Sequence, residues 1–403
     1  MKNGTKYKDH RKLPKVGTHI DETYGELLAH GFDTLVESFN VNVPHELEDR
    51  MREAKKYAAS RDVIAKDGVF FDLGGEEFAM SPRGASGAVY WMQNKDFAIY
   101  MRPTSMDFCL SVRYSSEALW RDGVLALQER IDKIIHSEFI PKVSAEQGRN
   151  DFVTVSEVHY AFDFHSPKFS EDMKPSIMEN VVCHSSTKKT LDFKMNIWGR
   201  GDYLETITIG RGAPLSVQVY DKGKEITEVS GKTWMQELWG MNKDKKPEHC
   251  WRLEVRMRRK GFLKKREINN FDDVISNLSE LLAEALYTKR LTMGGCDTNR
   301  SRWLMHPLWY MAYEACGEAG KMLCIREVTS MQGNALDELL RAQAAGLLRA
   351  MSVLQVGVDD PLTIQEIAAI CANQANEDPD RDIKADKLMT RYKDIHVTTE
   401  ERL

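Results

Sequence analysis

Three short segments of this 403-residue chain alternate apolar and polar side chains so regularly that each fits a sheet with one buried face and one face left for chemistry. In EVHYAFDFH, Val158, Tyr160, Phe162 and Phe164 share the apolar face, while His159, Ala161, Asp163 and His165 share the other. In LSVQVYDKGKE, Leu215, Val217 and Val219 oppose Gln218, Tyr220 and Lys222. In CWRLEVRMRR, Trp251, Leu253, Val255 and Met257 oppose Arg252, Glu254, Arg256 and Arg258. Ala161 between polar neighbours leaves room for a ligand.

The rest of the chain supplies the frame. Short runs rich in Val, Ile, Phe and Tyr between Gly68 and Ser115 predict meander strands, and further strands are expected at 152–164, 190–196, 203–209, 215–221 and 250–258. Helical spacing predicts a surface helix over Pro44–Ser60 and an amphipathic helix over Ser116–His136 despite Gly123. After Asn270 the apolar spacing is helical to the end, through Val274–Leu286 and Leu336–Met351, and Thr363-x-x-Glu366 has the form of a capping box. The fold class expected is therefore α+β: a polar and helical segment at 1–60, a catalytic body with a central antiparallel sheet at 61–270, and an all-helical domain at 271–403.

If the three alternating strands are neighbours, one surface gathers imidazoles, carboxylates, a phenol, a lysine and several arginines. Those are the parts of a phosphoryl-transfer site. Imidazole nitrogen with carboxylate oxygen suits Mg²⁺ or Mn²⁺. A phenol with an ordinary pKa of about 10 needs a cation or base nearby to act as a nucleophile, and arginines grip phosphate oxygens in pairs. Taken singly, each residue has an ordinary alternative: a half-buried sheet tyrosine, surface histidines, a cross-strand ion pair.

Composition bounds the setting. The net charge is −5, yet Asn242–Arg266 holds eleven Lys and Arg against three acids, a local +8 that leaves −13 elsewhere. Such a stripe is either a solvated face or a phosphate-backbone footprint. Seven scattered cysteines, none in a Cys-x-x-Cys pair, suggest neither a disulfide framework nor a zinc ribbon. No run approaches the roughly 20 apolar residues of a membrane span, and Met1–Lys15 lacks a signal-peptide core, so a cytoplasmic protein without membrane partners is expected.

VHYAFDF, then LETITIGRGAPLSVQVYDKGKEI, then WRLEVRMRRK, resembles in order and spacing the Rep_trans family of replication initiators from staphylococcal rolling-circle plasmids, a family with phage initiators and integrative-element relaxases among its members. The likeness spans roughly Gly68–Lys265. It implies an enzyme that nicks and joins DNA, whose tyrosine, here Tyr220, keeps the 5′ phosphate as a phosphotyrosine and frees a 3′ hydroxyl. It implies a divalent metal, Mg²⁺ or Mn²⁺, held by His159, Asp163 and Glu254, with His159 standing where plasmid relatives carry aspartate. Lys222 and Arg252 would stabilise phosphate charge, and His165 would serve as ligand or general base. Arg256, Arg258, Arg259, Lys264, Lys265 and Arg266 would hold the backbone of single-stranded or extruded origin DNA. Apart from the resemblance, the helices after Asn270 offer a surface for a host helicase or for a second copy of the chain.

Other readings are a relaxase for conjugative transfer, an origin-binding regulator without chemistry, and a metal hydrolase that uses water while Tyr220 is structural. A small-molecule enzyme is disfavoured, because Gly210-Arg-Gly212 lacks the spacing of a nucleotide-binding loop. Origin recognition is assigned to the helices after Asn270, with Arg300, Arg302, Trp303, Arg341, Arg349 and the LTIQEIAAICANQ segment as its candidates.

Overall fold

A computed structural model describes residues 24–60, 69–142, 150, 152–183, 195–242, 245–295, 298–319, 363 and 365–367. The chain divides into two compact units, Met1–Ile325 and Arg326–Leu403. The first is an α+β body around one antiparallel sheet of eleven strands. In chain order these are β1 (Glu26–Phe39), β2 (Val69–Leu73), β3 (Glu76–Met80), β4 (Tyr90–Gln93), β5 (Phe97–Met101), β6 (Leu110–Tyr114), β7 (Val153–His165), β8 (Met195–Arg200), β9 (Tyr203–Ile209), β10 (Leu215–Asp221) and β11 (Cys250–Arg258). Across the sheet they run β8-β9-β10-β11-β7-β1-β6-β5-β4-β3-β2.

The alternating strands are neighbours, as β10, β11 and β7, and their expected apolar residues all face one core. Tyr160, Phe162, Phe164, Val217, Val219, Leu253 and Val255 are buried there. That face is covered by helices at Phe271–Ser276, Leu278–Thr288 and Pro307–Ala319, whose Phe271, Val274, Leu281, Leu282, Leu308 and Trp309 join the same cluster. The helices after Asn270 thus do not begin a separate domain: up to residue 319 they are the other half of the core. The capping box is real within the second unit, with the Glu366 amide donating to Thr363 Oγ1 at 3.3 Å and the Thr363 amide to a Glu366 carboxylate oxygen at 2.7 Å. The helical segment expected over Leu336–Met351 lies outside the described residues.

Two elements differ from expectation. β1, fourteen residues in the middle of the sheet, falls where the sequence reads only as polar. Its alternation is broken by three register shifts against β7, at Leu27/Ala29, Phe32/Thr34 and Val36/Glu37. The helix expected over Ser116–His136 is two, Ser116–Asp122 and Val124–Glu138, separated at Gly123, whose φ of +77° is a left-handed value that interrupts a helix. The strand expected at 190–196 appears as β8, with residues 190–194 outside the described set.

Candidate active site

The registers lay the polar residues out in rungs across the face opposite the helices. One rung runs Trp198, Thr206, Tyr220, Arg252, Asp163, Ala29 from β8 to β1. The next carries Thr208, Gln218, Glu254 and Ala161, and the third Ser216, Arg256, His159 and Thr34. Registered residues of an antiparallel pair share a face, so the chemistry-bearing groups of four strands meet on one surface.

Two hydrogen-bonded networks form there. In the inner one Arg252, with no exposed surface, donates from Nε to Asp163 Oδ1 at 2.6 Å and from Nη2 to Asp163 Oδ2 at 2.7 Å. Its Nη1 reaches Asp33 Oδ1 at 2.6 Å, and Trp239 Nε1 donates to Asp163 Oδ2 at 3.0 Å. Asp33 is the extra residue of the Phe32/Thr34 bulge, which turns it onto this face beside the Ser116 hydroxyl at 2.7 Å. Burial would raise the Asp33 carboxyl, but the Arg252 guanidinium holds it below its ordinary value. A lid closes the network: Trp120, Ile226, Met235 and Trp239 pack with Ala29 and Ala161 in a second apolar cluster.

The outer network centres on His159. Its Nε2 lies 2.7 Å from Glu157 Oε1 and its Nδ1 2.8 Å from Glu254 Oε1. Burial alone would lower the imidazole pKa, but hydrogen bonds to the two carboxylates outweigh it and hold it above the ordinary value. Against the burial that would raise them, His159 and Arg258 bring Glu157 down to about 2, and His159 and Arg256 depress Glu254 further. Arg256 Nε donates to Glu254 Oε1 at 2.8 Å and Arg258 Nε to Glu157 Oε1 at 3.1 Å.

Tyr220 stands between the networks at the wall of an open cavity of about 470 Å³. Its hydroxyl donates to Glu254 Oε2 over a long 3.4 Å, and Lys222 Nζ sits 5.7 Å from the ring centroid. Burial raises the phenol well above its ordinary value; nearby Arg252 opposes this, and Glu254 adds to it. Strand β10 ends at Asp221, whose side chain caps the short helix Lys222–Glu225 by accepting from the Lys224 amide at 2.8 Å. Gly223 in that helix is required by a close approach: a Cβ there would fall 1.8 Å from the Pro247 carbonyl oxygen.

Several expectations change once the residues are placed. Arg252 cannot touch a phosphate, being sealed beneath the lid and bound to two carboxylates. Lys222 is 3% exposed and paired with Glu225. Asp163 is grouped with Arg252 and not with His159 and Glu254, and both its oxygens are taken. The room beside Ala161 is filled by the protein's own Trp239 and Met235. His165 lies at the end of β7 beside His249, with ring centroids 6.3 Å apart. Of the basic stripe, Arg259 donates to the Ile268 carbonyl and Arg266 to Glu284, whereas Lys260, Lys264 and Lys265 are exposed. Tyr160 is buried on the opposite face and hydrogen-bonds to His30, while Tyr203 is exposed near the sheet edge.

Glu157, Asp33, Trp198 and Trp239 were not singled out from the sequence. Glu157 had a signal, since it shares the odd-numbered face of β7 with His159. Asp33 had none, because the bulge that presents it leaves no trace in the alternation.

The donor types around His159 suit a divalent cation, but among the described residues no group of three or more His, Cys, Asp or Glu is arranged to hold one. His159 has both nitrogens engaged, so it can become a ligand only after losing a proton, and Asp163 is occupied by Arg252. Glu254 with neutral His159 is the pair that fits.

No family model matches the sequence, and no curated protein matches it. Among solved structures, a rolling circle replication initiator protein from Geobacillus stearothermophilus is similar with a TM-score of 0.37 and 13% sequence identity, over 72% of this chain and 97% of that chain. No helix among the described residues is long and apolar enough to cross a membrane.

Proposed function

We propose that this chain is a DNA nicking and joining enzyme that initiates rolling-circle replication through Tyr220. The observation that carries the reading is the position of that tyrosine: it is the phenol that opens onto the cavity, on a rung with a buried Arg–Asp pair and one rung from Glu254. The order of the three motifs, and its resemblance to the Rep_trans initiators, supports the same assignment.

In the proposed step the Tyr220 oxygen forms a bond to the phosphorus of one phosphodiester. Its proton passes to solvent in the open cavity that Tyr220 lines. The bond from phosphorus to the 3′ oxygen breaks, and that oxygen leaves with the electron pair and takes a proton from solvent. The products are a 5′ phosphotyrosine and a free 3′ hydroxyl, and joining is the reverse. Resting Tyr220 is held neutral by its surroundings, so the proposal includes dependence on Mg²⁺ or Mn²⁺, with Glu254 and neutral His159 as donors. Such an ion would supply the positive charge that favours the phenolate and the transferring phosphate. The inner network ties β11 to β7 and β1 and touches no reacting atom. Single-stranded or extruded DNA is the proposed substrate, held by exposed Lys260, Lys264 and Lys265.

The test is incubation of the full chain with Mn²⁺ and mixed-sequence single-stranded oligonucleotides, followed by denaturing electrophoresis. A protein band shifted by covalent DNA is expected, and absent in Tyr220→Phe, which removes one oxygen and leaves the fold. An adduct that persists in Tyr220→Phe would move the chemistry elsewhere, with exposed Tyr203 the next to try. Cleavage without any adduct would mean that water is the nucleophile.

A further inference from the structure

The edge strand β8 carries Trp198, 66% exposed, and the registers put it on the rung of Tyr220, two strands away, both lining the same cavity. Two strand spacings are about 10 Å, the span over which a nucleotide can set its phosphate at one residue and its base at the other. The cavity wall cannot hold a strand by charge. Glu205, Asp221, Glu225 and Glu228 line it against Lys224 and Arg256, and those cations pair with Glu205 and Glu254. What the wall does offer is an aromatic face and a polar atom lacking a partner: Gln218 Oε1, buried in the same cavity, accepts no hydrogen bond. A nucleobase satisfies both, stacking by its π-face and donating from its edge.

We propose that Trp198 is the platform on which the base beside the attacked phosphodiester stacks, with Gln218 accepting a hydrogen bond from that base. The proposal rests on the reading of Tyr220 as the nucleophile. It makes Trp198 a positioning residue: held by its base, the nucleotide presents its phosphate to the phenol, and grip here depends on stacking in place of charge.

The experiment measures binding of the full chain to labelled single-stranded oligonucleotides by fluorescence anisotropy, with chelator present so that no chemistry is involved, in the wild type, Trp198→Ala and Trp198→Tyr. Loss of one stacked base predicts about ten- to hundredfold weaker binding for Trp198→Ala, with Trp198→Tyr close to wild type. The slope of affinity against salt should be the same in all three, since no cation is removed. An oligomer of abasic nucleotides should bind wild type and Trp198→Ala alike. Equal affinity of wild type and Trp198→Ala for normal DNA, or a changed salt slope, overturns the proposal, as does a wild type that binds no single strand. A change in sedimentation coefficient in Trp198→Ala would also overturn it, by showing that the residue meets a second copy of the chain. The outcomes separate from those of the nicking test: stacking with no covalent adduct retains the platform and sinks the nucleophile, whereas an adduct formed equally well by Trp198→Ala, with unchanged binding, does the reverse.

Discussion

Replacing Asp163 by alanine separates two roles that the same residue could hold. As a metal ligand its loss would abolish nicking and spare the fold. As found, Asp163 accepts two charge-assisted hydrogen bonds from a fully buried Arg252, at 2.6 and 2.7 Å, and a third from Trp239 at 3.0 Å. Alanine leaves the guanidinium beneath its lid with Asp33 as its carboxylate partner. Breaking a buried ion pair from one side costs about 3–5 kcal/mol, and the surviving bond to Asp33 argues for the lower end. For a body of this size each kcal/mol lowers the melting temperature by roughly 2 °C, so with about 3 kcal/mol lost thermal unfolding followed by circular dichroism should shift down by roughly 6 °C. The double variant Asp163→Ala with Arg252→Met, which removes both charges, should recover part of that loss. An Asp163→Ala protein that melts with the wild type yet forms no adduct would refute the structural role and return Asp163 to a metal shell.

The remaining expectations follow from the same geometry. In metal-free protein the His159 cluster has a stability window. A raised histidine pKa contributes fully below about 6.5 and loses its contribution as pH rises through the folded value, while Glu157, depressed to about 2, contributes above about 4.3 and loses it toward pH 2. Urea midpoints measured from pH 4 to 9 should therefore fall on the alkaline side, and His159→Gln should flatten that limb; an unchanged profile would show that the imidazole is not charged. Reversing Lys264 and Lys265 to glutamate should reduce the salt slope of DNA binding by about two units, one for each phosphate no longer neutralised, and an unchanged slope would return the stripe to a solvated face. Ending the chain at residue 270 should yield insoluble or non-cooperatively melting protein, whereas ending it at 325 should leave a folded body. If the later segment reads origin sequence, this shorter chain should nick short single strands yet lose preference for its own duplex in a competition assay at physiological salt.

The sheet face was legible because alternation survives wherever a strand keeps its register. β7, β10 and β11 keep theirs to one another without a shift, so parity alone sorted His159, Tyr220 and Glu254 from Val158, Val219 and Leu253. β1 does not, and three shifts hid the strand at the middle of the sheet together with Asp33. The partners of each polar residue were illegible for another reason. Parity gives the face of a side chain but not what covers that face, and the cover over Arg252 and Asp163 comes from Trp120, Met235 and Trp239, up to 76 residues from Asp163 in sequence. The boundary expected at 270 failed in the same way: helical spacing at Val274–Leu286 says that a helix has an apolar face, and only the sheet shows where that face goes.

The division of the charged face into a sealed half and an open half carries a consequence for how the site can work. Arg252 pairs with Asp163 and Asp33 beneath an apolar lid, so this half serves to fix β11 to β7 and β1. The other half holds the phenol, two depressed carboxylates with Arg256 and Arg258 bonded to them, and a histidine whose pKa those carboxylates raise. Both ring nitrogens of His159 face carboxylates, at 2.7 and 2.8 Å, an arrangement that favours a proton on each. An incoming metal therefore has to displace the imidazole proton, and nicking that depends on metal should require more Mn²⁺ as the pH falls below the raised histidine value. His159→Asp removes that competition. If its Mn²⁺ requirement for adduct formation rises on acidification as steeply as in the wild type between pH 6 and 8, the imidazole proton is not what the metal displaces.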